Sequence, residues 1–141
     1  MELRKAKLED CNEVYELCRV KGLVNPSGEP PKRWWIEAFV REKQIFFVAE
    51  ENGRVIGFAL GERTTGDIAI FHMLAINEAY RGKGIGQRLM DLFEEEAKKR
   101  KLKVILTYGY ANNKVVDHIL KKRNYEKGSK YYEYLKWISL Q

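Results

Sequence analysis

Tyr80-Arg81-Gly82-Lys83-Gly84-Ile85-Gly86-Gln87-Arg88 is the stretch on which the reading of this 141-residue chain turns. It follows a strand-like run over residues 67–76. It precedes Ile85, Leu89, Leu92, Phe93 and Ala97, a spacing that predicts a helix over residues 84–101. Glycines at alternate positions let the backbone approach a ligand closely and turn its N–H groups toward one point. The helix that follows adds its positive N-terminus, and Arg81, Lys83 and Arg88 surround the turn with charge. Together these features suit a pyrophosphate. A turn needing glycine for geometry alone would have no use for three cations. Two other phosphate motifs are excluded. Gly61 and Gly66 have Walker A spacing, but Asp67 stands where the lysine must be. Gly82-x-Gly84-x-Gly86 is not the dinucleotide fingerprint either, and about 20 residues on, where an acid should hold the ribose, the chain reads Lys101-Leu102-Lys103.

Upstream of the turn the pattern is that of a β-meander. Residues 44–51 and 54–62 are β-rich runs joined by Asn52-Gly53, the signature of a type I′ hairpin, and 67–76 adds a third strand. Before them, residues 3–5 form a short candidate strand. Leu8, Cys11, Val14, Tyr15 and Cys18 recur at helical spacing up to Gly22. A proline-rich loop over residues 25–31 ends with Pro31 suited to the first turn of a second helix, which carries Trp34, Trp35, Ala38 and Phe39 to about Lys43. On the far side, the long helix bears three acid-first i,i+4 pairs, Glu94/Lys98, Glu95/Lys99 and Glu96/Arg100. Residues 104–108 read as a buried strand. Asn112 or Asn113 opens a last helix, and residues 125–137 read as a strand or hairpin. The order β-α-α-β-β-β-α-β-α-β gives an α+β fold with one parallel crossover, at the long helix. With no linker or repeat, residues 1–141 are expected to form a single domain.

Composition agrees with such a domain: 45% apolar, 12% aromatic and 33% charged residues describe a packed globule. No apolar run is long enough to cross a bilayer, and the N-terminus lacks the apolar stretch of a signal peptide. A cytoplasmic location and no membrane partner are expected. The net charge of +6 favours an anionic partner without choosing one. Cys11 and Cys18 lie roughly 10 Å apart along one helix, too far for a disulfide. No further ligands stand nearby for a metal, so both thiols are read as core residues.

Arg81-x-x-Gly84-x-Gly86, after a strand ending Met73-Leu74-Ala75-Ile76, resembles the acyl-CoA signature of the GNAT superfamily of N-acetyltransferases, and the resemblance extends over nearly the whole chain. It implies a mixed, mostly antiparallel sheet with helices on both faces that splays open after the strand 67–76. Acetyl-CoA would lie in the split as cosubstrate, with no metal. Its pantetheine would pair with backbone of Leu74, Ala75 and Ile76, and its diphosphate would be held by Arg81, Gly82, Lys83, Gly84, Ile85, Gly86 and Gln87. A splayed sheet leaves backbone groups that a ligand amide can satisfy, and the roughly four negative charges of coenzyme A account for part of the basic excess. Asn113 takes the family's asparagine position. Leu120 stands where the family often has a tyrosine that protonates the departing thiolate, and Asn124 replaces a glycine, which its tolerance of left-handed angles permits.

The resemblance implies an acyltransferase of the EC 2.3.1 class, in which an amine attacks the thioester directly in a ternary complex. Counting by twos from Ile76 places Leu74, His72, Ile70 and Ile68 on one strand face and Met73 and Phe71 on the other. His72 is the titratable group on the interior of that strand and the candidate base. Glu62 and Asp67, at strand ends, are candidates acting through water. Tyr108 and Tyr110, after the strand 104–107, are candidate acids for the thiolate, whose pKa of about 8.5 makes it a tolerable leaving group in any case. His118 reads as a surface residue, and Trp34 or Trp35 as core or acceptor-pocket wall. The alternative is a GNAT-like module that binds acyl-CoA without turning it over. A nucleic-acid-binding domain is suggested by charge alone and is not favoured. The acceptor, a small molecule or a protein, is left open, as is the choice between monomer and homodimer.

Overall fold

Asn52 and Gly53 both have positive φ, 51° and 76°, as a type I′ turn demands. In the computed structural model, which describes residues 1–23, 28–109 and 111–138, this turn joins strand β2 (Ile45–Glu51) to β3 (Arg54–Arg63). β4 (Ile68–Ile76) continues the meander antiparallel to β3. β1 (Glu2–Lys5) pairs antiparallel with β2, and β5 (Val104–Thr107) pairs parallel with β4, so the strand order follows the sequence, β1-β2-β3-β4-β5. The mixed, mostly antiparallel sheet and the single parallel crossover are as expected.

Helices cover both faces because β2 and β3 are buried without interruption over Ile45–Ala49 and Val55–Gly61, and period-two alternation divides their apolar side chains between two cores. On one face, α1 (Cys11–Lys21) and α2 (Arg33–Arg41) bury Val14, Cys18, Ile36 and Phe39 against Phe46, Val48, Phe58 and Leu60. On the other, the crossover helix α3 (Ile85–Lys99) buries Leu89, Phe93 and Ala97 against Ile45, Phe47, Ala49 and Ala59. α3 lies close on β3 at Gly61, where an added Cβ would run into the Phe93 ring and the Ile70 carbonyl oxygen. α1 stops at Gly22 in the left-handed conformation, as expected; α2 begins at Arg33, two residues after Pro31. Of the three acid-first pairs on α3, Glu96–Arg100 closes at 2.9 Å, and the guanidinium also donates to the Lys43 and Gln44 carbonyls. Cys11 and Cys18 are buried, and burial pushes both thiols up to about 11, which keeps them protonated and inert. Among the described residues no helix is long and apolar enough to cross a membrane.

One buried charge anchors α1 to the sheet edge. Asp10 is 6% exposed; it accepts from Arg4 at 2.8 and 3.0 Å and from the Lys7 N–H at 2.7 Å, while Arg4 also reaches Glu50 at 2.7 Å. Burial alone would raise the Asp10 carboxyl, but the hydrogen bonds from Arg4 and Lys7 outweigh it and hold it below the usual carboxylate range. A depressed pKa contributes stability that is present above the unfolded-state value, about 3.9, and is lost as pH falls through the folded one. Unfolding free energy measured between pH 6 and pH 2 should therefore fall on acidification. Asp10→Asn should be less stable at pH 6 by about 2 kcal/mol, the scale of a charge-assisted hydrogen bond, and should show a shallower acid slope. An unchanged slope would show that the Arg4–Asp10 pair is not what the acid limb reports.

The chain falls into two compact units, Met1–Tyr108 and Gly109–Gln141. In the second, α4 (Lys114–Lys122) is capped by Asn113, whose side-chain oxygen accepts from the Val116 N–H at 3.1 Å. The helix ends where Asn124 turns left-handed at φ 67°, as its place in a glycine position anticipated. The strand expected over residues 125–137 is not formed. The Tyr125 N–H is taken by the Leu120 carbonyl, Lys127 folds back on Asp117 at 2.8 Å, and no ladder follows. The two lysines pairing with Asp117, Lys127 first and Lys121 second, hold its carboxyl below the usual range.

Candidate active site

β4 is paired along nearly all of its length on one edge and along less than half of it on the other. Against β3 its register runs from Ala69 to Ile76. Against β5 it covers Ile68 to Phe71, and the ladder closes with the Thr107 hydroxyl donating to the Phe71 carbonyl at 3.0 Å. From His72 to Ile76, the β5-side edge of β4 has no strand partner among the described residues. The split thus opens within β4, beside His72, earlier than at the strand's end. Unpaired strand backbone that leads into a glycine turn is what an extended ligand with amide groups can use; Leu74, Ala75 and Ile76 lie on that stretch.

The turn is built by two left-handed glycines. A short 3-10 turn over Glu78–Tyr80, capped by Asn77, brings the chain to Gly82 (φ 76°) and then Gly84 (φ 78°), the N-cap of α3. No side chain caps this helix. The N–H groups of Ile85 and Gly86 have no acceptor inside it, because the first intrahelical bond runs from Arg88 to the Gly84 carbonyl, at 3.1 Å. A Cβ on Gly82 or Gly84 would point into open space, whereas one on Gly86 would touch Leu74 and Ile76 at 3.6 and 3.8 Å. The first two glycines therefore set backbone angles, while at Gly86 a side-chain carbon would make only ordinary contact with the end of β4. Arg81, Lys83 and Arg88 are exposed around the turn, with Lys83 Nζ over the Tyr80 ring at 5.4 Å. The geometry is that of an open anion site at a helix N-terminus.

His72 is displaced from where simple alternation puts it. Leu60 faces Met73 but Gly61 faces Phe71, so His72 is the extra residue of a β-bulge. Past it the faces exchange. Phe71 packs on Phe93 beneath α3 at 4.7 Å, in the same core as Leu74 and Ile76, while Met73 and Ala75 join the opposite core. His72 turns to the α2 side, edge-on to Trp35 and Phe39 at 5.7 and 5.8 Å, with Nε2 3.6 Å from Glu62 Oε1. The expectation that His72 shares a face with Leu74 is corrected accordingly. An imidazole with an aromatic floor, one carboxylate beside it and a side chain 29% exposed can exchange a proton with a ligand entering from that side. Sequence reasoning named Glu62 and Trp35 without joining them to His72, since the contact depends on β3–β4 register and on α2 docking.

The other candidates are dispersed. Tyr108 follows the last residue of β5 and is 71% exposed. Tyr110 lies outside the described residues. Asp67 sits left-handed in the β3–β4 turn, pairs with Arg63 at 4.0 Å, and accepts from the Lys103 N–H. Asn113 caps α4, Leu120 is half-buried and His118 is exposed on that helix, all in the second unit. Trp34 is 67% exposed, so the core reading holds for Trp35 alone.

Residues 8–125 match the model of the Acetyltransferase (GNAT) family. An uncharacterised N-acetyltransferase of Methanocaldococcus jannaschii is 28% identical over 101 residues, covering 67% of this chain and 45% of that protein; the chain thus spans less than half of that relative's length. Among solved structures, Ard1 from Thermoplasma volcanium superposes with a TM-score of 0.79 at 22% identity, covering 91% of this chain and 84% of that one. The ribosomal-protein-S18-alanine N-acetyltransferase of Escherichia coli gives 0.77 at 16% identity, covering 91% and 79%. AAC(6′)-Iy, solved with a bisubstrate analogue of coenzyme A and acetylneamine, gives 0.76 at 13% identity, covering 96% and 97%. The family match runs through the strand, the glycine turn and α3 without interruption: this chain belongs to the GNAT family of acetyltransferases.

Proposed function

We propose that residues 1–141 act as one cytoplasmic N-acetyltransferase domain that moves an acetyl group from acetyl-CoA to a primary amine of a protein or small molecule. The observation that carries this reading is the continuity of an open β4 edge, His72 to Ile76, with an uncapped, cation-flanked helix start at residues 81–88. One site accepts the amides of an extended arm and the other its diphosphate. A neighbour in fold was solved with a bisubstrate analogue of coenzyme A, which supports a coenzyme A thioester as the ligand of such a fold.

In this reading, backbone of Leu74, Ala75 and Ile76 holds the pantetheine. Arg81, Gly82, Lys83, Gly84, Ile85, Gly86 and Gln87 hold the diphosphate, and Asn113 contributes through its family position. The bound thioester supplies an activated acyl carbon. A backbone N–H of the open β4 edge polarises its carbonyl. His72 takes the ammonium proton and so frees the amine's lone pair to attack; as the C–N bond forms, the nitrogen's excess proton passes to water. The C–S bond breaks, its electron pair stays on sulfur, and a proton from Tyr108, Tyr110 or water restores the thiol. Leu120, at the family's tyrosine position, favours water for that last step and also motivates the second reading, a module that binds acyl-CoA without turnover.

Two measurements on the intact chain test this. Acetyl-CoA at 100 times its Kd should stabilise the protein by about 2.7 kcal/mol, seen as a rise in Tm. A panel of amines and peptide N-termini should contain at least one that stimulates thiol release. Stabilisation with silence toward every amine would favour the binding module; absence of both would overturn the assignment of the turn.

A further inference from the structure

We propose that Glu62 is a positioning residue for proton transfer: its carboxylate holds Nε2 of His72 toward β3 and leaves Nδ1 as the nitrogen that accepts the amine's proton. The inference rests on the transferase reading above and adds a member to its site.

His72 needs such a partner because of where it sits. As the extra residue of the bulge it has no residue directly opposite on β3, so its side chain is not fixed by a cross-strand pair. Trp35 meets the ring edge-on at 69° and Phe39 at 85°. These contacts set the plane of the imidazole but cannot distinguish its two nitrogens, since a flipped ring would pack as well. Glu62 makes the distinction. Its register partner on β4 is Ile70, two residues before His72, and its Oε1 stands 3.6 Å from Nε2. At that distance the contact is one of charge: a carboxylate beside Nε2 favours the neutral ring whose N–H dipole points toward it, with the proton on Nε2 and the lone pair on Nδ1. Glu62 is the carboxylate paired with the imidazole; α2 offers it aromatic rings, and the neighbouring Arg63 turns to Asp67. Both side chains are about one-third exposed, at 29% and 37%, so the expected effect is on orientation more than on fold stability.

The test has one arm that does not require turnover. The protein has two histidines, His72 and His118, so imidazole 15N signals of the full chain are assigned by comparison with His72→Asn. In the wild type above pH 8, the His72 signals should show a protonated Nε2 and an unprotonated Nδ1. In Glu62→Ala, both nitrogens should move toward the average of the two tautomers, and Glu62→Gln, whose uncharged amide can turn either its oxygen or its NH2 to the ring, should move them the same way. In the kinetic arm, Glu62→Ala should lower kcat about tenfold, a part of what a general base supplies, with KM for acetyl-CoA within twofold. Glu62→Asp, which keeps the carboxylate, should recover part of the loss, and Glu62→Ala/His72→Asn should be no slower than His72→Asn alone. Identical 15N shifts in wild type and Glu62→Ala, or losses that multiply in the double variant, would overturn the proposal. If no amine stimulates thiol release the transferase reading falls, and the 15N arm still decides what Glu62 does to the ring.

Discussion

Gly84→Val is expected to weaken acetyl-CoA binding by tenfold or more, so that ligand at 100 times the wild-type Kd stabilises the variant by about 1.4 kcal/mol or less in place of about 2.7, a correspondingly smaller rise in Tm. Gly84 has φ 78° and ψ 7° as the N-cap of α3. An L-residue in this region costs roughly 1–2 kcal/mol, and a β-branched one is a genuine outlier there. A Cβ at this position meets nothing within 4 Å, so no clash holds the side chain in place and the cost lies wholly in the backbone. The segment can relieve it only by rotating the N-cap out of the left-handed region, which re-aims the N–H groups of Ile85 and Gly86 that a diphosphate must meet together. Because 1.4 kcal/mol corresponds to a factor of ten, the strain alone accounts for the expected loss. Gly53→Val is the matched control. Gly53 is also left-handed, at φ 76°, also faces open space, and lies in the β2–β3 hairpin outside residues 81–88. It should lose comparable stability and keep its acetyl-CoA affinity by calorimetry. Equal affinities for Gly84→Val and wild type would show that the turn does not hold the diphosphate.

That contrast also marks what the sequence makes legible. The glycine turn could be read because everything it needs is contiguous: left-handed positions, the start of an amphipathic helix and flanking cations fall within nine residues. The Asn52-Gly53 hairpin is legible for the same reason. His72 was visible as a chemical candidate, but its orientation was not. Alternation by twos fails at a bulge, and a bulge arises from how β3 and β4 share their register beside Gly61, with Phe93 pressing from the other face. The partnership of Glu62, Trp35 and Phe39 with His72 depends on three separate elements meeting, which no local pattern encodes. The expected strand over residues 125–137 failed for a related reason. β-rich residues such as Tyr131, Tyr132 and Tyr134 are only permissive for a strand, while the local closures at Tyr125 and Lys127 are specific.

His72→Asn is expected to lower kcat by about 10² to 10³ with a responsive amine, while KM for acetyl-CoA and the stabilisation by acetyl-CoA stay within about twofold. The magnitude is that of a general base. The separation of the two effects follows from the bulge: the His72 side chain lies on the α2 face, whereas Leu74 and Ile76 belong to the core beneath α3. Removing the imidazole therefore leaves the cosubstrate's backbone partners and the glycine turn intact. The deficit should also narrow as pH rises. A primary amine of pKa near 10 is mostly ammonium at pH 7, and each unit of pH increases its neutral fraction about tenfold until that pKa is reached. Neutral amine can attack without a base to unload it, so the variant's rate should climb with pH across the range where the wild-type rate has begun to level. A residue that only packed against Trp35 and Phe39 would give a different result: Asn in its place would change kcat by less than about threefold, with a pH profile parallel to wild type. The slope of the variant's profile thus separates proton transfer from packing even if the absolute loss is smaller than expected.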